Sequence, residues 1–186
     1  MQRFLIVFTL VLLIITLVWF YILTGKTEGD ERADSDTAPT ASWTWKNPYT
    51  FKQAVIPAGW SRIKTGQFQD AVLALQHETG KSLIYIIYDK PVNQMTLEEY
   101  IDAVKPMNQK EYGITEFTAA TDKSGKEIYE AEGGKYMGDN LVGIDIRIWS
   151  DGSDSFWESV ETTDMEYKNL EYNAKELVTA LAETTY

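Results

Sequence analysis

Cysteine is absent from this sequence of 186 residues, and there is only one histidine. Without cysteine no disulfide can form, so the stability of any folded part must come from burial. A lipoprotein anchor, which is attached through a cysteine, is excluded for the same reason. Zinc sites are built from clusters of cysteine and histidine, and a single histidine cannot supply one. We therefore expect no metal site of this kind and no bound cofactor.

Basic residues are also few. Lysine and arginine together number 17 against 28 aspartates and glutamates, which leaves a formal net charge of -11. A domain this acidic is repelled by nucleic-acid phosphates and by anionic lipid headgroups, so we expect no nucleic-acid partner. Such a charge keeps a protein surface soluble. A sharper interpretation is that it steers a basic protein partner towards the chain.

One long apolar run interrupts this polar composition. Residues 4–23 are broken only by Thr9 and Thr16, and at about 1.5 Å per residue they form roughly 30 Å of helix, the thickness of the hydrocarbon core of a bilayer. We therefore predict a transmembrane anchor over residues 1–23. Arg3 precedes the run and acidic residues follow it, which places the N-terminus in the cytoplasm.

A cleavable signal peptide is the alternative to a retained anchor. The apolar region of a signal peptide has about 7–15 residues and ends in a small-x-small site. This run is longer, and the large Leu23 occupies the third position before a cleavage after Gly25. The sequence therefore favours a retained anchor in the inner or plasma membrane, with the C-terminal part in the periplasm or outside the cell.

The segment after the apolar run, residues 24–42, contains no large apolar side chain and cannot contribute to a core. We predict a disordered acidic linker with a root-mean-square span on the order of 24 Å. Residues 43–186 then form one globular domain, which is long enough to bury a single core.

The apolar residues of this domain mostly recur with a period of two, which is typical of β-strands. A first strand is predicted over Tyr49, Phe51 and Val55, before the turn residues Pro57, Ala58 and Gly59. Strands at residues 71–75 and 83–88 are joined by a tight turn at residues 78–81. Further strands are expected at residues 115–121, 126–132, 141–149 and 155–162.

Two segments show the period of a helix instead. Thr96 and Glu99 form a capping box at the start of the first helix, and Pro106 is expected to end or kink it. The second helix is the C-terminal segment, where Asp164 and Glu166 suit the positive end of the helix dipole. Its apolar face is Tyr167, Leu170, Ala174, Leu177 and Leu181. The predicted fold class is α+β, with an N-terminal transmembrane helix followed by a mostly antiparallel sheet of about seven strands sandwiched by helices.

The order of these elements resembles a known family. The motif Pro57-Ala58-Gly59-Trp60 after a first strand, the helix around Leu97-Glu98-Glu99-Tyr100 and the long final helix are similar to the PsbP-like α/β/α sandwich, including envelope and secretion-accessory domains of the DcrB type. The resemblance covers roughly residues 49–181. It implies a non-enzymatic binding or assembly role, and it identifies no functional residue, because no binding residue of the family can be matched.

Residue types that carry catalysis or bind ions are sparse or poorly spaced. His77 lies at the end of the strand at residues 71–75 and is expected to be a surface residue, since no nucleophile elbow accompanies it. Asp151, Asp154 and Asp139 do not have the spacing of a calcium-binding loop. Gly133-Gly134-Lys135 lacks the spacing of a phosphate-binding loop and is predicted to be a flexible loop. We expect no enzyme and no metal site.

Trp43 and Trp45 are the only residues singled out for partner binding. They lie two apart before the first predicted strand, so both rings project to one side of an extended chain. If the two rings are exposed, they would bind a partner. If they are buried, which we favour, they would close the core.

The function predicted from sequence is a membrane-anchored extracytoplasmic protein-binding or assembly module of the cell envelope, such as an accessory or immunity protein of a secretion system. One alternative is a small-molecule or lipid carrier with an aromatic-lined cavity. A divergent hydrolase is the other.

Overall fold

The computed structural model describes residues 39–64, 71–152 and 154–185. The predicted anchor at residues 1–23 and nearly all of the predicted linker at residues 24–42 lie outside these ranges. In the part that is described, neither helix is both long and apolar enough to cross a bilayer.

The described chain forms nine strands and two helices. The strands are β1 (Trp43–Lys46), β2 (Gln53–Ile56), β3 (Trp60–Arg62), β4 (Ala71–His77), β5 (Ser82–Asp89), β6 (Thr118–Thr121), β7 (Glu127–Met137), β8 (Asn140–Ser150) and β9 (Phe156–Asp164). The helices are α1 (Leu97–Tyr112) and α2 (Lys168–Ala182), and a short 3-10 helix, Met165–Tyr167, precedes α2.

Seven of these strands form one sheet in the order β3-β4-β5-β9-β8-β7-β6, and every neighbouring pair is antiparallel. The strand β9 therefore lies in the centre, between β5 and β8. The α+β class and the seven-stranded antiparallel sheet predicted from the sequence are confirmed. The hairpin β1–β2 is a separate two-stranded sheet that the sequence prediction did not anticipate.

Each face of the large sheet is covered by a different layer. On one face α1 packs with its residues Tyr100 and Ile101 against Ile146 of β8 and Val160 of β9. On the other face α2 and the hairpin β1–β2 enclose the second core cluster. The largest buried side chains of that cluster are Trp45, Trp60, Trp149 and Trp157. Burial of apolar surface on both faces is what holds the layers together.

The first predicted strand was placed wrongly. Tyr49 and Phe51 lie in the turn of the hairpin, and Val55 belongs to β2 rather than to a strand shared with them. The turn forms because Asn47 accepts hydrogen bonds from the amides of Tyr49 and Thr50 through Oδ1, at 2.9 and 3.3 Å. An asparagine that bonds to the backbone ahead of it is a turn signal that the alternation of apolar residues concealed.

Pro106 does not end the helix, as one form of the prediction had it, because α1 continues through this residue to Tyr112; a kink at Pro106 stays a prediction. The capping box at its start is confirmed, with Glu99 N donating to Thr96 Oγ1 at 3.2 Å and Thr96 N donating to Glu99 Oε2 at 2.7 Å. Pro106 and Asp102 are both exposed. Water can therefore hydrate the Asp102 carbonyl, which lacks its usual amide donor.

Gly133 and Gly134 are part of β7, so the predicted flexible loop is in fact a strand. A Cβ atom at Gly133 would approach Ile114 Cγ1 to 2.7 Å and the Tyr112 carbonyl oxygen to 3.1 Å. The glycine is therefore needed for close packing of the chain that leaves α1 against β7.

The start of the final helix also differs from the prediction. Asp164 is the last residue of β9, and its Oδ1 accepts a hydrogen bond from Glu166 N at 3.1 Å. Its Oδ2 forms an ion pair with Lys81 at 3.1 Å. The acidic residue therefore ends the central strand and caps the 3-10 helix, and α2 itself begins only at Lys168.

The C-terminal residues hold the hairpin in place. Asn47 is fully buried, and its Nδ2 donates to the carbonyl oxygen and to Oγ1 of Thr184, each at 3.4 Å. Thr50 Oγ1 also donates to the Thr184 carbonyl. Next to it, Trp149 Nε1 donates to Thr185 Oγ1 at 2.7 Å. We call the group Asn47, Thr50 and Thr184 the hairpin clamp.

Asn47→Ala is expected to lower the free energy of unfolding by about 1–3 kcal/mol, because it removes the hydrogen bonds that Asn47 donates to Thr184 and those that its Oδ1 accepts from the amides of Tyr49 and Thr50. The measurement is urea unfolding of the full chain in neutral detergent, followed by tryptophan fluorescence. Asn93→Ala, at an exposed loop position, is the control and is expected to change stability by less than about 0.5 kcal/mol. Equal stability of the two variants would show that the clamp contributes nothing.

Candidate functional site

The two tryptophans singled out from the sequence point towards the core. Trp45 is 5% exposed and belongs to the cluster under α2. Trp43 is half-buried, and its Nε1 donates to the Trp60 carbonyl at 2.9 Å. The rings thus take the buried arrangement that the sequence analysis favoured. Binding of a partner by Trp43 and Trp45 stays a prediction.

The opposite, outer face of the hairpin is exposed. It presents Phe51, which is 68% exposed, and Val55, which is 62% exposed, next to the exposed Lys46. The Lys46 ammonium lies 5.1 Å from the centre of the Phe51 ring, within cation–π distance. Phe51 has φ = 61°, a left-handed conformation that costs a bulky residue about 1–3 kcal/mol. The fold therefore keeps the Phe51 side chain exposed to solvent at a position where the backbone is strained.

The aromatic residues behind the hairpin turn pack on each other. The Tyr49 ring stacks on Tyr88 at 3.9 Å between centres, and both rings contact Trp157, at 5.7 and 4.9 Å. Tyr88 shares a hydrogen bond of 3.0 Å with Ser155 Oγ. These three rings pack on each other, and an aromatic-lined cavity for a carrier stays a prediction.

His77 lies at the end of β4, as predicted, and its ring meets the edge of Trp60 at 5.2 Å between centres. Its Nδ1 is 3.0 Å from Thr79 Oγ1 and accepts from Thr79 N at 3.3 Å. The histidine thus organises the tight turn between β4 and β5.

The aspartates that could be ligands of a cation do not lie together in the structure. Asp139 precedes β8 and Asp151 follows it, so the eleven residues of β8 separate them by about 35 Å. Asp154 Oδ2 accepts a hydrogen bond from Gln94 Nε2 at 3.1 Å. Among residues 39–64, 71–152 and 154–185, no group of three or more acidic or histidine side chains is arranged to hold a metal ion.

The sheet instead places three carboxylates side by side under α2. Glu132 of β7 pairs in register with Asp145 of β8, and Asp145 pairs with Glu161 of β9. Strands in register bring directly opposite side chains to about 5 Å, so like charges in one row repel each other. We call these three residues the carboxylate row.

One lysine of α2 offsets this repulsion. Lys175 Nζ lies 3.3 Å from Asp145, 3.6 Å from Glu132 and 3.0 Å from Glu171. Burial lowers the pKa of Lys175, but the hydrogen bond to Glu171 and the charge of Asp145 raise it further, so its pKa is above the ordinary value. The lysine remains charged and serves as the counter-ion of the carboxylate row.

Glu161 is the most buried member of the row. Burial, together with the charge of Asp145, raises the pKa of Glu161 to about 8, although the hydrogen bond from Thr163 Oγ1 at 3.1 Å acts in the opposite direction. Burial raises the pKa of Asp145 as well, against the attraction of Lys175. At neutral pH Glu161 therefore carries a proton in most molecules.

A second buried carboxyl lies on the other face of β9, under α1. Burial raises the pKa of Glu158 to about 7, opposed by a hydrogen bond from Asn108 and assisted by the charge of Asp89. Asn108 is fully buried, and its Oδ1 is without a hydrogen-bond partner. Burial and the charge of Glu158 also raise the pKa of Tyr112. This cluster is enclosed by packing.

The surface of the α1 layer is acidic where α1 meets β7. Glu98, Asp102 and Glu127 are exposed. Burial and the charges of Glu127, Glu98 and Asp102, in that order, raise the pKa of the half-buried Tyr129. The three carboxylates are therefore close enough to Tyr129 for their charges to act on its hydroxyl group. We call these four residues the acidic face.

The sequence analysis missed both the carboxylate row and the acidic face. Glu132, Asp145 and Glu161 lie 13 and 16 residues apart and come together only through the register of three strands. The acidic face combines residues of α1 with residues of β7, which comes later in the chain. The one signal in the sequence was the alternation of β8, which places Asp145 on the face opposite to Ile144, Ile146 and Ile148.

Comparison with known proteins identifies the fold. No protein family matches the sequence, and no curated protein matches it either. Among solved structures, the chain is similar to cyanobacterial PsbP (CyanoP) from Synechocystis sp. PCC 6803, with a TM-score of 0.55 and 11% identity, over 82% of this chain and 98% of that one. It is also matched to PA94 from Pseudomonas aeruginosa, with a TM-score of 0.45 and 9% identity, over 75% of this chain and 94% of that one.

The chain therefore has a PsbP-like fold, as the resemblance of element order implied. At 11% identity the similarity to CyanoP concerns the fold alone.

The raised pKa values of Glu161 and Glu158 predict that stability falls as the pH rises. Between about pH 4.5, where an unfolded glutamate releases its proton, and about pH 8, the folded chain holds protons that the unfolded chain has lost. The melting temperature is therefore expected to be lower at about pH 9 than at about pH 5. Calorimetry of the full chain in neutral detergent measures this difference.

Glu161→Gln keeps the shape of the side chain and removes its titration, so it is expected to flatten this pH dependence, and Glu158→Gln is expected to flatten it further. The control is Glu176→Gln, which removes an exposed carboxylate from α2. If Glu161→Gln and the unchanged chain lose the same stability over this range, the buried carboxyl is not the titrating group.

Proposed function

We propose that this chain is a single-pass, membrane-anchored module of the cell envelope that lies outside the cytoplasm and binds or assembles another protein, as an accessory or immunity protein of a secretion system would. The apolar run at residues 4–23 supports the anchor. The PsbP-like fold is compatible with an accessory domain. We propose no catalytic role and no cofactor.

The observation that carries this proposal is the acidic face. Glu98, Asp102 and Glu127 are exposed around Tyr129, on the side of the sheet opposite to α2 and the hairpin. Tyrosine is enriched in protein interfaces because it combines apolar area with a polar tip. Three exposed carboxylates near such a residue attract a lysine- or arginine-rich surface and speed its encounter with the chain. We therefore expect the partner to be basic.

The topology follows from the proposed anchor and can be measured because the chain has no cysteine. Gln109→Cys is on an exposed position of α1, and Gln2→Cys precedes the apolar run. A membrane-impermeant maleimide is expected to label position 109 in spheroplasts and position 2 only after lysis. The labelled chain should retain the mass of all 186 residues. Labelling in the reverse order, or a product shorter by about 25 residues, would contradict a retained anchor with this orientation.

Partner binding can be tested by crosslinking in cells from the acidic face. A photoreactive amino acid at Ala103, an exposed position of α1, is expected to give one discrete protein adduct. Asp102→Lys should reduce its yield several-fold, because the charge that attracts the partner is reversed. The matched control is Glu183→Lys, a charge reversal at an exposed position that follows α2, and it should leave the yield unchanged.

If Asp102→Lys and Glu183→Lys give the same yield of adduct, the partner does not bind at the acidic face. If position 103 gives no protein adduct while position 136, an exposed tyrosine in β7, gives one, the partner binds elsewhere on the domain.

A further inference from the structure

The last turns of α1 rest on a buried polar pair. Glu158 of β9 is 4% exposed, and Asn108 of α1 is fully buried. The amide group of Asn108 donates one hydrogen bond to Glu158 and another, through Nδ2, to the Val104 carbonyl oxygen at 3.3 Å. Both amide hydrogens are thus used, but Oδ1 of the same side chain is buried without a hydrogen-bond partner. A buried acceptor in this position lowers the stability of the fold unless a donor reaches it.

The missing donor is available on Glu158 itself. An ionised carboxylate only accepts hydrogen bonds, whereas a neutral carboxylic acid also has one O–H group to donate. A carboxylic acid and an amide that face each other exchange two hydrogen bonds, one from the amide N–H to the carboxyl oxygen and one from the carboxyl O–H to the amide oxygen. The second bond satisfies Asn108 Oδ1. The unpartnered oxygen therefore indicates a neutral Glu158 while α1 is packed on the sheet, in agreement with its raised pKa of about 7.

The groups around Glu158 come from β5, β8 and α1. Burial is the largest cause of its raised pKa, and the charge of Asp89 on β5 adds to it. Burial also raises the pKa of Tyr112 and of Tyr85, so both phenols stay neutral near pH 7. In β8 the residue opposite Glu158 is the apolar Ile148. The charged groups on the last turns of α1 are the half-buried Lys105 and the exposed Lys110 and Glu111.

Pro106 divides α1 into two parts that are held differently. Proline has no amide hydrogen, so one backbone hydrogen bond of the helix is missing at this residue, and a helix bends most easily at such a point. Before Pro106, the Tyr100 ring stacks on Phe156 at 4.2 Å between centres. After Pro106, the buried residues of the helix are Asn108 and Tyr112. The first part is therefore fixed by apolar packing, and the second part depends on the polar pair.

We propose that the pair Glu158–Asn108 is a pH-sensitive switch, which holds residues 106–112 of α1 on the sheet while Glu158 keeps its proton and releases them when the proton is lost. Ionisation removes the O–H donor and leaves a charge in the apolar space between α1 and β9. Bending at Pro106 then lets water reach the carboxylate, while the first turns of α1 stay in place. The inference depends neither on the proposed anchor nor on the proposed partner.

The direction of the pH dependence follows from the two states of Glu158. The pKa of Glu158 is about 7 while residues 106–112 are packed, and it returns to the ordinary value of 4.5 when water reaches the carboxyl group. Packing is therefore favoured most below about pH 4.5 and becomes weaker as the pH rises to about 7. Within this range the equilibrium constant for release increases by up to about tenfold per pH unit, because one proton is lost.

Amide hydrogen exchange of the full chain in neutral detergent measures this release, after correction for the intrinsic exchange rate at each pH. The amides of residues 108–112 are expected to lose protection at least several-fold between about pH 5 and about pH 8. The amides of residues 101–104, in the first part of the same helix, should keep theirs. This measurement needs no substituted chain.

Two variants with the same substitution on opposite faces of β9 identify the titrating group. Glu158→Gln cannot ionise and still offers an N–H donor to Asn108 Oδ1. It is expected to keep residues 108–112 as protected at about pH 8 as they are in the unchanged chain at about pH 5. The matched control is Glu161→Gln, under α2, which should leave the pH dependence of residues 108–112 as it is in the unchanged chain. Circular dichroism of each variant confirms that it is folded.

Three outcomes would overturn the inference. Constant protection of residues 108–112 from about pH 5 to about pH 8 in the unchanged chain excludes a release. An equal loss of protection in Glu158→Gln and in the unchanged chain shows that another group titrates. If residues 101–104 lose protection together with residues 108–112, α1 opens as one unit and does not bend at Pro106.

Discussion

Both faces of the central sheet are apolar, and the need to cover both of them is the constraint on which the rest of this structure depends. A single helix is about 10 Å wide, and α2 alone does not cover the tryptophans of β8 and β9. The hairpin β1–β2 completes that layer by placing Trp45 and Ile56 beside Leu177 and Leu181. The hairpin has no partner strand in the large sheet. Its inner face is therefore fixed by packing, and its outer face is left to solvent.

The covering of both faces of the sheet also determines the ionisation of its acidic residues. A strand in the middle of a covered sheet has no side that faces water, so each acidic residue on β9 must be neutralised, protonated or hydrogen-bonded. Asp164, at its end, pairs with Lys81. Glu161 and Glu158, further inside, keep their protons to higher pH. The positive charge of Lys175 compensates the carboxylates of Glu132 and Asp145 on the neighbouring strands. The buried charges of the sheet are thus each compensated by a neighbouring group.

The local elements could be predicted from the sequence, whereas their assembly could not. Patterns within one segment gave the capping box at Thr96 and the turn at residues 78–81, and the order of the elements along the chain gave the resemblance to the PsbP-like fold. Pro106 misled the prediction because the effect of a proline on a helix depends on whether the carbonyl four residues earlier can be hydrated, which is a property of the folded surface. The prediction of a loop at Gly133 failed because glycine is required there to make room for Ile114, a residue of another segment. The carboxylate row depends on the register of three strands, for which no single window of sequence contains the information.

The hairpin clamp joins Asn47 to Thr184, residues separated by 137 positions, and β5 finds its neighbour β9 only after the whole α1–β8 segment has been made. Contacts of such sequence separation are slow to form, because a long loop must close before they contribute any free energy. The earliest residues of the domain can therefore reach their final positions only when the last ones are present. The core of this domain can therefore be completed only after the C-terminal residues that carry Thr184 and α2 have been synthesised.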